Sequence, residues 1–378
     1  MTDFSNISFL TIDVYSISIT KTQNTVYFSG LYPHILRQGF YAVLDNKLGQ
    51  PDDSAVPFQK GEREEMPYDM TDKLKIAVGS RALFRLEKEN DIFEKEGVAA
   101  YEQYQREHET DILLPGAGFR LVRSLLQLNG TEDAVQPVEI LIASRNSADT
   151  GSRVFRSIER YGLDISRGIF TSGAGLAPYL KAFDIDLFLT ANPSDAQAAV
   201  DCGIPAATIV TDHAERYDAD EELHEIRIAF DGDAVLFSDE AEAVFKKDGL
   251  EAFSERERAL ADQPLPEGPF AKFLRALNRL QEDGASGPVT IRTALVTSRN
   301  APAHQRVIST LRAWNVRIDE VFFLGGLPKT EILRAFGAHI FFDDQKIYTE
   351  AAADAVPSAK VPYGPGSVFR HPEGAEGN

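Results

Sequence analysis

The chain has 378 residues, 43% of them hydrophobic and 26% charged, and its excess of acids sets the formal net charge at −19. That length predicts two domains rather than one, and that composition a globular protein. The charge argues against nucleic acid as a partner, because binding it draws on clustered Lys and Arg. No apolar stretch approaches the ~18–20 residues of a membrane span, so no membrane partner is expected either.

The chain begins MTDFSNISFLTIDVYS, with an acid and no Lys or Arg, and so lacks the basic start of a secretory signal. A single cysteine, Cys202, excludes internal disulfides and fits a reducing compartment. It reads as a small buried hydrophobe. The expected location is the cytoplasm. Residues 1–70 are rich in Ile, Tyr and Ser and then turn polar. They carry no motif and have no repeat partner, and are taken as an extension of unknown role.

From there the chain repeats itself. KIAVGSRALF at Lys75–Phe84 lies against RIAFDGDAVL at Arg227–Leu236, 152 positions on. The same offset pairs FEKEGVAAY (Phe93–Tyr101) with FKKDGLEAF (Phe245–Phe253) and Gly116 with Gly268. Further along, IASRN (Ile142–Asn146) meets VTSRN (Val296–Asn300) at offset 154, and LKAFDIDLFL (Leu180–Leu189) meets LRAFGAHIFF (Leu333–Phe342) at offset 153. A match over about 120 residues reads as a tandem duplication, with halves at 71–217 and 218–364.

Within each half, short apolar runs alternate with amphipathic segments, which predicts strands and crossover helices wound into a parallel sheet, an α/β Rossmann-like architecture. In the second half the expected strands are Ile226–Phe230, Thr293–Val296, Glu320–Leu324 and His339–Phe342, with helices at Pro302–Trp314 and Lys329–Phe336. Between the first two strands, residues 238–288 read as a small helical cap. One helix starts at Ser238-Asp239-Glu240 and is ended by Gly249, a second runs from about Leu250 to Ala261, and a third carries Phe273, Leu274, Leu277 and Leu280 on one face. The apolar residues of this cap read first as packing and second as substrate contacts. The Gly-, Pro- and Glu-rich tail, residues 365–378, is expected to be disordered.

The chemistry concentrates at strand ends. Asp231-Gly232-Asp233 follows the first strand of the second half, where open α/β sheets bind ligands. Two acids in one place need a cation or a shared proton, and phosphoryl transfer would use one as a nucleophile and the other as a general acid/base. Asp-Gly-Asp alone is also a common loop composition. Three further features join it. Thr297-Ser298 ends the second strand with hydroxyls placed to hold a phosphate oxygen. Lys329 opens a helix whose N-terminal amides can face an anion. Asp343-Asp344 ends the fourth strand with hard oxygen ligands suited to Mg2+. Arg299, beside the second motif, reads equally as a substrate contact or a structural residue, because Arg145 stands at the matching place in the first half.

This order resembles the haloacid dehalogenase superfamily of phosphohydrolases. In closer wording, DGDAVLFSDE (Asp231–Glu240), IRTALVTSR (Ile291–Arg299), LRAWNVRIDEVFFLGGLPK (Leu311–Lys329) and HIFFDD resemble the cytosolic 5'-nucleotidases of type I, with a likeness running from about Lys73 to Gly364. One departure is Asn315, in a segment where glycine is expected. The resemblance implies Mg2+-dependent hydrolysis of nucleoside 5'-monophosphates, AMP foremost, through an aspartyl phosphate. It implies Asp231 as nucleophile and Asp233 as acid/base, with Thr297 and Lys329 on the phosphate oxygens. The metal would be held by Asp231, Asp233 through its backbone carbonyl, and Asp343, with Asp344 one shell out. Candidate substrate contacts are Ser298, Arg299 and the cap aromatics, Phe237 and Phe253 among them.

Two rival readings are a phosphatase of the same chemistry on another phosphometabolite, and a non-catalytic nucleotide-binding regulator. The intact acids count against the second. In the first half Gly79 stands opposite Asp231, Arg81 opposite Asp233, Ala143 opposite Thr297, Leu176 opposite Lys329, and Thr190-Ala191 opposite Asp343-Asp344, so that half is expected to be catalytically silent. Assembly as a homo-oligomer is an expectation that no residue pattern specifies.

Overall fold

The computed structural model describes three strands between residues 9 and 29, and residues 69–130, 136–214, 224–283 and 289–370. The chain divides into two compact units, Met1–Pro67 and Tyr68–Asn378. In the first, β1 (Phe9–Ile12), β2 (Tyr15–Thr22) and β3 (Thr25–Ser29) form an antiparallel meander in that order. The sequence analysis assigned no strands there. The rest of the 1–70 extension up to residue 68, and residues 371–378 of the tail expected to be disordered, lie outside the described residues.

The second unit holds a ten-stranded sheet made of two five-stranded sets. The first set is β4 (Leu74–Val78), β5 (Val138–Ser144), β6 (Arg167–Phe170), β7 (Leu187–Thr190) and β8 (Ala206–Ile209), in the spatial order β6-β5-β4-β7-β8. The second is β9 (Glu225–Phe230), β10 (Thr290–Thr297), β11 (Glu320–Phe323), β12 (Ile340–Asp343) and β13 (Ser358–Lys360), in the order β11-β10-β9-β12-β13. The two orders are the same, and every pairing within a set is parallel. Strand β13 then pairs antiparallel with β8, Ala359 opposite Ile209 and Lys360 opposite Thr208, which joins the sets into one sheet. Buried at every position, β4 and β5 are mostly apolar, interrupted by Lys75 in β4 and by Glu139 and Ser144 in β5, the near-continuous apolar pattern of parallel strands.

The four expected strands of the second half are present with small changes at their ends. The fifth strands, β8 (AATI) and β13 (SAK), were not expected. They are too short and too weakly apolar to stand out, and the pairing across the sheet decides them.

The first half carries helices α1 (Glu87–Glu96), α2 (Val98–Glu107), α3 (Phe119–Leu126), α4 (Ala148–Arg160), α5 (Ala177–Ala182) and α6 (Pro193–Asp201). The second carries α7 (Glu240–Ala259), α8 (Ala271–Asp283), α9 (His304–Ala313), α10 (Thr330–Phe336) and α11 (Lys346–Ala353). Helix α7 bends sharply at Gly249, whose φ of 84° lies in the left-handed region that glycine enters without strain. Gly97, between α1 and α2, has φ 87° and serves the same bend in the first half. The two halves also exchange helices. Helix α3 packs against β9 of the second half, and α8 against β4 of the first. One apolar core therefore runs through both, with Leu74, Ile76 and Val78 in the same cluster as Phe273, Leu274 and Leu277.

Two residues correct or explain the reading of the sequence. Cys202, expected to be buried, caps the end of α6 and is exposed. Asn315, standing where glycine was expected, has φ 52°, and Asn is the side chain that best tolerates that region after Gly. No helix among the described residues is long and apolar enough to cross a membrane.

Candidate active site

Parallel strands β9, β10 and β12 end side by side, and their C-terminal ends deliver the motif residues to one point. Asp231 directly follows β9 and donates its N–H to the Phe342 carbonyl at 2.8 Å, which fixes its backbone against β12. Thr297 and Asp343 are the last residues of β10 and β12, and Asp344 comes next. Lys329 immediately precedes α10. Its ammonium sits between two carboxylates, 2.9 Å from Asp231 Oδ1 and 2.6 Å from Asp343 Oδ2. Asp231 is 6% exposed, Lys329 3%, Asp343 0% and Asp344 1%, so this is a buried charge cluster rather than a solvated surface.

Burial governs its electrostatics. It pushes Asp231 up to about 7, opposed by the Lys329 charge and reinforced by Asp343 and Asp233. Asp344 rises to about 8, from burial first and then from repulsion by Asp231 and Asp343. Burial works against the charge on Lys329, yet Asp231 and Asp343 outweigh it and hold the ammonium above its ordinary value. Neither Asp344 oxygen has a well-formed hydrogen bond, and the Tyr363 hydroxyl is the polar group that approaches them. One oxygen each from Asp231, Asp343 and Asp344 lies within 4.8 Å of the others. Three hard carboxylate donors, one of them unsatisfied in the interior, fit a divalent cation such as Mg2+.

The neighbouring loop is tightly built. A side chain at Gly232 would place its Cβ 3.2 Å from Thr297 Oγ1, so glycine keeps the space between the two motifs open. Thr297 is 1% exposed, and its hydroxyl accepts the Arg299 N–H at 3.2 Å.

Asp233 stands apart from the three-carboxylate cluster. Both its oxygens are taken by Arg299, at 2.8 Å from Nε and 2.7 Å from Nη2. Arg299 itself is 3% exposed and also pairs with Glu257 of α7. Burial again opposes its charge, and the two carboxylates outweigh burial and hold it above its ordinary value. Glu257, wholly buried, takes Arg306 of α9 at 2.8 Å, and Arg306 reaches Glu240 at 2.9 Å. The acid/base candidate is thus wired into the cap.

Of the candidate substrate contacts, Ser298 is exposed, whereas Arg299 is spent on its two carboxylates. Phe237 is 0% exposed and packs on Trp314 at 5.6 Å between ring centroids, so the structure makes it a core residue. Phe253 is 9% exposed and meets Phe245, itself 47% exposed, edge to face at 6.1 Å. Phe270 and Phe273 are fully buried.

The sequence analysis missed Glu257, Arg306 and Glu240. A signal existed in the repeat. Gln105 lies 152 positions before Glu257, and Arg153 lies 153 before Arg306. In the first half Arg153 pairs with Glu89 at 2.6 Å and with Gln105 at 3.1 Å, the same interior framework. The backbone correspondence is as close. Gly79 follows β4 as Asp231 follows β9, and donates its N–H to Leu189 at 2.8 Å.

A family model described as 5'-nucleotidase matches residues 66–367. The human protein cytosolic 5'-nucleotidase 1B is 39% identical over 287 residues, which are 73% of this chain and 47% of that protein. The chain therefore spans about half the length of the curated relative it matches. A chain in the solved "Structure of Pnkp1/Rnl/Hen1 complex" overlays with a TM-score of 0.27 and 16% identity, over 78% of this chain and 97% of that one.

Proposed function

This chain belongs to the 5'-nucleotidase family, and from that premise we propose that its second half hydrolyses nucleoside 5'-monophosphates, AMP foremost, to nucleoside and phosphate. The observation that carries the reading is the Lys329 ammonium held between Asp231 and Asp343 at the ends of two adjacent parallel strands, with Asp344 beside them. Asp231 is the nucleophile. Its carboxylate attacks phosphorus, the bond from phosphorus to the 5'-oxygen breaks, and the departing oxygen takes a proton from Asp233. Water, giving its proton to Asp233, then attacks the phosphorus of the aspartyl phosphate and restores Asp231. Lys329 and Thr297 stabilise the charge on the phosphoryl oxygens, the dominant contribution in such transfers. Mg2+, held by Asp231, the Asp233 backbone carbonyl and Asp343, and by Asp344 whose oxygen lies within 4.8 Å of those of Asp231 and Asp343, would neutralise the substrate phosphate.

The Arg299 clamp bears directly on this cycle. While both Asp233 oxygens accept from a guanidinium, neither is free to meet the leaving oxygen. For acid–base work its side chain must exchange Arg299 for the leaving oxygen. Arg299 also grips Glu257 of α7, so the exchange is coupled to the cap. The fold reading that accompanies this function is a haloacid dehalogenase-like duplication, with residues 71–217 catalytically silent and residues 218–364 active. The cytosolic relative supports a cytoplasmic location.

Phosphate release from a panel of monophosphates, with Mg2+ and with EDTA, tests the reading. Hydrolysis is expected only with the metal, with AMP well above 3'-AMP and ribose 5-phosphate. Equal kcat/KM for AMP and ribose 5-phosphate would overturn the nucleotidase reading in favour of a phosphatase for another phosphometabolite.

A further inference from the structure

At the C-terminal edge of the first half's sheet, where the second half has its carboxylates, there is a cleft of about 430 Å³ lined by Gly79, Ser80, Arg81, Ala143, Leu176 and Thr190, among others. We propose that this cleft is a second nucleotide site, one that binds its ligand without a metal and does not hydrolyse it. The nucleotide class rests on the function proposed above for the second half; the existence of a ligand site rests on the cleft itself.

Two residues of its wall each carry a buried donor without a partner. Ser80 is 4% exposed, and its hydroxyl has no hydrogen-bond partner. Arg81 gives Nη1 to Asn90 at 2.6 Å, while its buried Nε has no partner. Buried donors left unpaired cost stability, and an acceptor arriving from outside relieves that cost. The acids nearby are already matched. Glu89 is paired with Arg153 at 2.6 Å, Asp195 with Arg145, and the more exposed Glu102 with Arg106 at 3.8 Å. What is free in the cleft therefore attracts an anion. Where the second half has Asp231, Asp233 and Asp343, this half has Gly79, Arg81 and Thr190, so nothing there calls for a cation or forms an acyl phosphate.

The cleft also keeps an aromatic wall. Phe93 and Tyr101 meet edge to face at 6.0 Å and 82°, and their counterparts Phe245 and Phe253 meet at 6.1 Å and 82°. Phe93 is 48% exposed, which leaves a ring available to a planar base. The volume lies within the range of ~300–1,000 Å³ typical of small-molecule sites. A planar base with a phosphate satisfies both the aromatic wall and the two donors.

The test is equilibrium dialysis of the full chain with AMP in EDTA. Without a cation the Lys329 ammonium stays spent on Asp231 and Asp343, so phosphate loses its main partner in the second half, and the substitutions below assign the site that remains. One saturable site per chain is expected, weakened at least tenfold by Arg81→Ala. Ser80→Val, which removes the unpaired hydroxyl and no ion pair, is expected to weaken binding as well, and it decides the matter if Arg81→Ala fails to fold. No saturable binding up to millimolar AMP, or binding indifferent to both substitutions, would refute the site. Mg2+-dependent phosphate release by the wild-type chain is measured alongside. A chain that hydrolyses AMP but does not bind it in EDTA overturns only this inference, and one that binds without hydrolysing overturns only the function proposed for the second half.

Discussion

Asp231 carries the proposed chemistry, and its surroundings explain why a single substitution there separates activity from folding. The carboxylate is buried and shares the Lys329 ammonium with Asp343, which keeps that ammonium paired when Asp231 loses its charge. Asp231→Asn is therefore expected to keep the thermal unfolding temperature in EDTA, while hydrolysis falls below about a thousandth of wild type, a loss of at least ~4 kcal/mol in barrier. Residual activity above that level, read as phosphate release, would exclude covalent catalysis by this residue. His339 offers a test of opposite character. It is 3% exposed, and its Nδ1 accepts the Arg227 N–H at 2.9 Å. Burial, with Arg120 and Arg227 adding, holds it at about 3, below the ordinary 6.5. Between those values the unfolded chain takes a proton that the folded chain refuses, so stability falls as pH drops from 6.5 towards 3. At pH 5 the loss is ~2 kcal/mol. His339→Asn is expected to remove that part of the acid sensitivity. Equal slopes of urea stability against pH, between 7 and 5, for variant and wild type would count against it.

Among the elements, the cap helix α7 is held less by apolar packing than by ions. Glu257 is wholly buried between Arg299 and Arg306, and Arg306 also holds Glu240 near the start of the same helix. Taking one partner from such an arrangement leaves buried charge uncompensated. Arg306→Met is expected to lower unfolding free energy by ~3 kcal/mol, and Arg153→Met, its counterpart in the first half, by a similar amount. Arg334→Met should change it by less than ~1 kcal/mol, because Arg334 and Glu331 pair in solvent. Urea midpoints of the three variants provide the measurement, and a small effect at Arg306 alongside a large one at Arg334 would reverse this ranking.

For the whole molecule, the two halves share a sheet, a core and an exchange of helices. Residues 218–378 alone would expose the edge of β13 and the apolar residues of α8 that share a core cluster with β4. That fragment is expected to be poorly soluble and to hydrolyse AMP far below the full chain. A soluble, folded fragment with full hydrolysis would show that the first half is dispensable.

What the sequence determined by itself is local and repeated. Apolar runs closed by Asp231, Thr297 and Asp343 located the strand ends, Gly249 marked the bend of α7, and the repeated pattern fell on two five-stranded sets of the same strand order. Each of these signals lies within a few residues or recurs at a fixed offset, so it can be read without distances. Tertiary structure alone decided the rest. The joining of β8 to β13 depends on a partner about 150 residues away, with no apolar run of its own to announce it. The assignment of Arg299 to Asp233 and Glu257, rather than to a substrate, depends on which side chains meet in the interior. Burial decided Phe237 in the same way, because an aromatic ring reads identically in sequence whether it lines a site or fills a core.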